Sequence, residues 1–150
     1  MNDRRFVISM HILVLLSKFP DELLSSDFLA GSMNINPVLV RKELSNLRKH
    51  NIVISKEGKN GGCMLAKPAN EIFISDVYKI VSTHSILGNE LASPNPKCPV
   101  GKQINEHLYD LNKEAEDIMI SRLANQTLAD FSNRFEQKNL NINVTQDYTV

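Results

Sequence analysis

The stretch NINPVLVRKELSNLRKHNIVISKEGKNGGCMLA, residues 34–66, constrains the fold more than any other part of the chain. Asn36 is a good helix cap, and Pro37 suits the first helical position, where its missing N–H costs nothing. Over residues 37–50, Val40, Leu44 and Leu47 fall at i, i+4 and i+7 and make a core stripe. A second face of the same helix carries Val38, Arg41, Lys42, Ser45, Arg48 and Lys49. Solvated faces usually mix charge signs, whereas this one is basic and polar only. Residues 52–56 (IVISK) are β-branched and strand-like, 57–62 (EGKNGG) form a glycine-rich turn, and 63–66 (CMLA) return as a second short strand. The sequence thus predicts a basic helix followed at once by a hairpin whose tip bears Lys56 and Lys59.

The flanking segments complete a small domain. Residues 3–19 are apolar almost all round, which predicts a helix buried on more than one side and stopped by Pro20. A short helix is expected over 25–33, with serines to cap it, Asp27 suited to its positive end, and the helix-weakening Gly31 within it. Residues 74–81 predict another short helix, capped by Ser75. After a loop with Pro94, Pro96 and Pro99, a last helix is expected from near Val100 towards Phe135. On it Ile104, Leu108, Leu111, Ala115 and Ile118 step by four and three, the spacing of a coiled-coil seam. Such a helix would be about 50 Å long and would outrun its own domain, so part of its apolar face needs a second chain.

These elements are the parts of a mainly α fold with one small β-hairpin: a winged helix-turn-helix with a long C-terminal dimerisation helix. The expected division is a winged DNA-binding domain over 1–85, a loop over 86–99 carrying Cys98, the dimerisation helix over 100–135, and a flexible Asn/Gln-rich tail over 136–150.

Charge distribution agrees with that division. The 17 basic and 17 acidic residues cancel overall. Residues 1–67 nevertheless carry 10 Lys and Arg against 6 Asp and Glu, and residues 68–150 carry 7 against 11. An excess of +4 beside an excess of −4 fits an anion-binding module joined to something else. The longest apolar run, residues 8–16, is too short to span a bilayer and is interrupted by Ser9 and His11. No small-residue cleavage site follows it, so no signal peptide is expected. The chain is read as cytoplasmic, with thiols reduced at rest.

The chemistry such parts support is phosphate neutralisation plus groove readout. A helix fits the DNA major groove, where Arg and Lys donate to guanine and Asn pairs with adenine. Hairpin lysines can reach the flanking backbone or minor groove. Arg4 and Arg5 add two cations at the start of the first helix. The alternatives are a helical bundle with a solvated basic helix, a dimeric adaptor that does not bind DNA, and a thiol enzyme using Cys98 or Cys63. No motif supplies the base and charge-stabilising groups a thiol nucleophile needs, so no enzyme is expected.

The motifs RRFVISMHILVLL, LAGSMNINPVLVRKELSNLRKHNIV, GKNGG and CPVG together resemble the Rrf2 (BadM-like) family of bacterial winged-helix transcription regulators, over about residues 2–133. The resemblance implies a homodimer, commonly a repressor, on a near-palindromic double-stranded DNA operator. The third helix would lie in the major groove, the wing in the minor groove, and the last helix would pair the protomers. The family's readout positions fall at Asn36, Val38, Arg41 and Lys42. The wing departs from the pattern: Glu57 stands where many members have Arg, and Cys63 where an aromatic commonly follows the two glycines.

Cluster-binding members use three cysteines in or near the loop before the dimer helix, and here only Cys98 lies there. Cys63 is 35 positions away, a spacing that matches no zinc motif. His84 and His107 lie nearby in sequence, but two histidines and one thiol make a poor cluster site. No metal, iron–sulfur cluster or other cofactor is expected. Cys98 itself stays open between a buried small residue and a redox-sensing thiol, flanked by Lys97 and Lys102 near a helix N-terminus, with Cys63 as the other thiol. On the first reading the regulator is ligand-responsive or constitutive; on the second it is redox-responsive.

Overall fold

A computed structural model describes residues 4–135. The expected tail over 136–150 lies outside the described residues. Six α-helices and one hairpin follow in the order α1 (Arg5–Lys18), α2 (Ser26–Met33), α3 (Pro37–Lys49), β1 (Val53–Lys56), β2 (Gly62–Leu65), α4 (Ile74–Val81), α5 (Pro99–Leu123) and α6 (Leu128–Ser132), with a single 3-10 turn at Ala69–Glu71.

The core forms around α1, eight of whose fourteen residues are buried. Ile12, Leu13 and Leu16 meet Leu24, Phe28 and Leu29 from the second helix and its approach, Val40 and Leu47 from α3, and Val77 from α4. This is the all-round burial its composition calls for. Ser25 caps α2 by accepting from the Phe28 N–H at 3.1 Å. The helix ends with Asn34 in the left-handed conformation, φ 53°, a position that Asn tolerates better than most residues. Asn36 then caps α3 by accepting from the Val38 N–H at 2.9 Å, with Pro37 at the start of the helix. A three-residue connection therefore sets α3 against α2 in a helix-turn-helix.

The wing is antiparallel, with Val53 opposite Leu65 and Lys56 opposite Gly62. It is attached to the body by a third segment. The Leu24 and Cys63 backbones exchange hydrogen bonds at 3.0 and 2.9 Å. Gly62 makes this approach possible, because a Cβ there would stand 2.7 Å from the Leu24 carbonyl oxygen. At the tip, Gly58 takes φ +96°, which L side chains rarely adopt.

Two expectations need correction. Ser75 does not cap α4; it is buried inside the first turn, and the preceding Phe73 makes no side-chain cap. The last helix is not continuous to Phe135. It stops at Leu123, and a reciprocal Thr127–Asp130 capping box starts α6. Backbone bonds from Ile74 to Gln126 and from Leu128 to Ile72, at 3.0 and 2.7 Å, tie the break to the segment before α4. Leu128 is fully buried in the core, a burial that stabilises by about 2 kcal/mol. The Ser17 and Ser132 hydroxyls hydrogen-bond where α6 meets α1. At 25 residues, α5 is about 37 Å long rather than about 50.

Candidate nucleic-acid interface

The outer face of α3 exposes Val38, Arg41, Lys42, Arg48 and Lys49 together. Ser45 lies half-buried and set back from them. The helix has one carboxylate, Glu43, and it points the other way. Only 3% of its side chain is exposed, and Arg5 Nε donates to it at 2.9 Å. A buried acid left unpaired would be costly, so the start of α1 supplies its counter-charge. The result is a face with no negative group of its own. Arg5 is therefore spent inward, whereas Arg4 is exposed. The Arg5–Glu43 pairing joins residues 38 positions apart and has no local sequence signal.

Arg41 is already engaged in the free protein. Its Nε donates to Ser26 Oγ at 3.1 Å and its Nη2 to Asp27 Oδ1 at 3.3 Å, both at the start of α2. Asn36 uses its side-chain oxygen as the α3 cap, which leaves its amide nitrogen for other contacts. Beyond α3, a cleft lined by Arg41, Arg48, Lys56 and Gly58 separates the helix from the wing. Lys56 and Lys59 are exposed at the wing end, with Glu57 between them. The geometry thus brings Arg41 and Arg48 of α3 and Lys56 of the wing around one cleft, while Arg5 is drawn away to Glu43.

The two cysteines occupy opposite environments. Cys63 is buried, its thiol donates to the Leu24 carbonyl at 3.2 Å, and burial pushes its pKa up to about 11 despite the nearby Arg48 charge. That state is a packed thiol, not an accessible redox partner. Cys98 is exposed, which removes the reading of it as a buried small residue. It is itself the N-cap residue of α5. Its thiol makes no cap hydrogen bond of ordinary geometry, yet the adjacent Gly101 and Val100 N–H groups hold its pKa below the usual thiol value.

On α5 the expected seam faces outward. Leu108, Leu111 and Ile118 are 43, 53 and 67% exposed, with Ile104 and Ala115 half-buried. The inward side holds polar tethers instead. Asn105 Nδ2 donates to the Leu91 carbonyl, Asn112 Oδ1 accepts from the Leu87 N–H, and Glu116 accepts from Tyr78 Oη, at 2.9, 3.1 and 3.1 Å. His84 and His107 are both exposed.

Residues 2–134 match the model of a family described as Rrf2, iron-dependent transcriptional regulator. YwnA of Bacillus subtilis (strain 168), named as an HTH-type transcriptional regulator, is 38% identical over 133 residues, covering 89% of this chain and 98% of YwnA. The chain belongs to the Rrf2 family. Among solved structures, a transcriptional regulator from Lactobacillus plantarum matches with a TM-score of 0.72 at 28% identity, covering 88% of this chain and 89% of that one. CymR, the global cysteine regulator of B. subtilis, matches with a TM-score of 0.64 at 18% identity, covering 91% and 98%, a likeness of fold alone. This Rrf2 protein is a DNA-binding transcription regulator with a winged-helix fold, from a family of regulators and not of enzymes. No helix among the described residues is long and apolar enough to cross a membrane.

The family description mentions iron, and the donors here do not fit a cluster. A cluster takes about four protein ligands, chiefly thiolates. One of this chain's two thiols is buried in the core from the wing strand β2, and the other stands exposed at the start of α5. Among the described residues, no three His, Cys, Asp or Glu side chains gather where they could share an ion.

Proposed function

We propose that this Rrf2 regulator acts in the cytoplasm as a homodimeric repressor, with α3 in the major groove of each operator half-site and the wing on the flanking backbone or minor groove. The observation that carries this reading is the α3 face. Four cations point outward from one helix, and its only acid is withdrawn and neutralised by Arg5. Phosphate contacts from Lys49, Lys56, Lys59 and Arg4 would position the domain, while Arg41, Lys42, Val38 and Asn36 would meet base edges.

The dimer reading is supported by α5, whose Leu108, Leu111 and Ile118 face solvent while polar tethers hold its inner side. A second copy presenting the same seam would bury Leu108, Leu111 and Ile118 in a self-complementary interface. Two linked domains would then read a near-palindromic site.

Cys98 supports a redox response. It is accessible, and the N–H groups of the α5 N-terminus favour its thiolate, the form that oxidants attack to give a sulfenic acid. A small-molecule thiol would then condense with that acid, releasing water and leaving a mixed disulfide. The change would fall where the loop enters the dimer helix, a place able to alter the spacing of the two α3 helices.

The test is a binding titration and a transcription assay on the protein's own upstream region, with and without hypochlorite. The expected result is a two-half-site footprint, inhibited transcription, and release by oxidant that Cys98→Ser abolishes. Binding with no sequence preference would sink the operator reading. An equal oxidant response in Cys98→Ser would sink the redox reading alone.

A further inference from the structure

We infer that Asp27 and Ser26 aim Arg41 as a reader of guanine, so that the first turn of α2 sets which base α3 accepts. The inference rests on the reading of α3 as the major-groove helix. A guanidinium carries five donors in a rigid planar fork. Ser26 Oγ takes the Nε–H and Asp27 Oδ1 takes one hydrogen of Nη2. The hydrogens that remain are the two on Nη1 and one on Nη2. That end of the fork matches the O6 and N7 acceptors that guanine shows in the major groove. Adenine offers N7 beside an N6 donor, and a held fork meets that donor with one of its own. An arginine without the two contacts could turn its Nε edge to the base or leave it for a phosphate.

The clamp is not explained as a stabilising ion pair. The Arg41 and Asp27 side chains are 55% and 64% exposed, and a pair so wet adds little to folding. A carboxylate on the DNA side also works against affinity, because it repels phosphates. What the contact supplies is direction: the long side chain is held across the gap between α2 and α3 before DNA arrives, so less freedom is lost on binding. Ser26 and Asp27 are positioning residues that act through Arg41.

The experiment selects binding sites from a randomised double-stranded DNA pool, using the full chain as wild type, Arg41→Ala, Asp27→Ala and Ser26→Ala, each checked by thermal melting. Wild type should enrich guanine at one position of each half-site. Arg41→Ala and Asp27→Ala should lose that preference at that position alone, with Ser26→Ala weakening it. Asp27→Ala should also bind random-sequence DNA more tightly while its ratio of selected-site to random affinity falls about tenfold. A merely structural role for Asp27 would lower both affinities and blur every position, and that outcome overturns the inference. So does an Asp27→Ala protein that keeps its guanine. If wild type enriches sites that Arg41→Ala enriches equally, DNA binding stands and the clamp is refuted. If wild type enriches nothing, the major-groove reading of α3 falls, and the inference falls with it.

Discussion

α1 and α5 are both helices with a long apolar pattern, and the fold treats them in opposite ways. α1 has eight buried residues in fourteen, while α5 has none in twenty-five. On α1 the apolar side chains face every neighbour in the domain. On α5 the seam residues Leu108, Leu111 and Ile118 point away, Asn105 and Asn112 hold the preceding loop, Glu116 accepts from Tyr78, and only the last residue, Leu123, packs against the core. Apolar pattern alone therefore does not say where a helix is buried. One surface is complete within the chain, and the other is the one the proposed dimer would cover.

The sharpest way to break this contrast is Leu111→Asp. A carboxylate at the centre of the seam would either be buried unpaired or keep two copies apart. Sedimentation should show a monomer with the melting profile of a folded winged domain. Operator affinity should fall by about 10² to 10⁴-fold as the two domains lose their linkage. Wild-type protein that sediments as a monomer at micromolar concentration would remove the dimer and the two-half-site operator together.

A matched pair of truncations sharpens the same comparison. Leu13 is fully buried, and Leu13→Ala should cost about 2–5 kcal/mol of unfolding free energy. Leu111→Ala, measured in urea at concentrations where the chain is monomeric, should cost under about 0.5 kcal/mol. Equal costs would mean that α5 is packed within its own chain after all.

How much of this was legible follows from the range of each signal. Asn36 and Pro37 act on their own helix, so α3 could be placed from local residues, and the glycines of 58–62 place the wing in the same way. The break at residues 124–127 escaped because no Gly or Pro marks it and apolar residues continue across it. Its signal was present: Thr127 and Asp130 have the spacing of a capping box, which periodicity overrode. The Arg5–Glu43 and Arg41–Asp27 contacts span 38 and 14 positions, and only the folded chain brings them together. Sequence could name the cations of α3 but not which of them were already committed.

Between the two ends of the proposed DNA face, α3 should matter more than the wing. Arg41→Ala should cost about 1–3 kcal/mol at one operator position and relax specificity there. Lys59→Ala should weaken all sequences more evenly and reduce the salt slope by about one. Fluorescence anisotropy over a salt series on matched and mutated sites separates the two. Unchanged affinity in Arg41→Ala at physiological salt would break the assignment of α3.

An equally small effect on stability belongs to Cys98, and it completes the contrast between what the domain encloses and what it leaves open. Cys98 is exposed at the start of α5, and its pKa is lowered by the Gly101 and Val100 N–H groups. Cys63 is buried on the wing strand β2, with a pKa pushed up to about 11 from the ordinary 9.0. Alkylation by iodoacetamide followed by mass spectrometry should therefore modify Cys98 rapidly in the native protein, with a rate that rises at lower pH than for a free thiol. Cys63 should stay unmodified until urea opens the core. The signs also differ for folding. Because the Cys63 pKa is higher folded than unfolded, its neutral thiol stabilises fully below about pH 9. That contribution, about 2–3 kcal/mol, fades as pH climbs from about 9 towards 11, and Cys63→Ala should flatten this part of the stability profile. Cys98→Ser should leave stability at neutral pH within about 0.5 kcal/mol, because nothing encloses its side chain. Native-state alkylation of Cys63 at the rate of Cys98 would show that the wing opens readily and that the two thiols are not separated by burial.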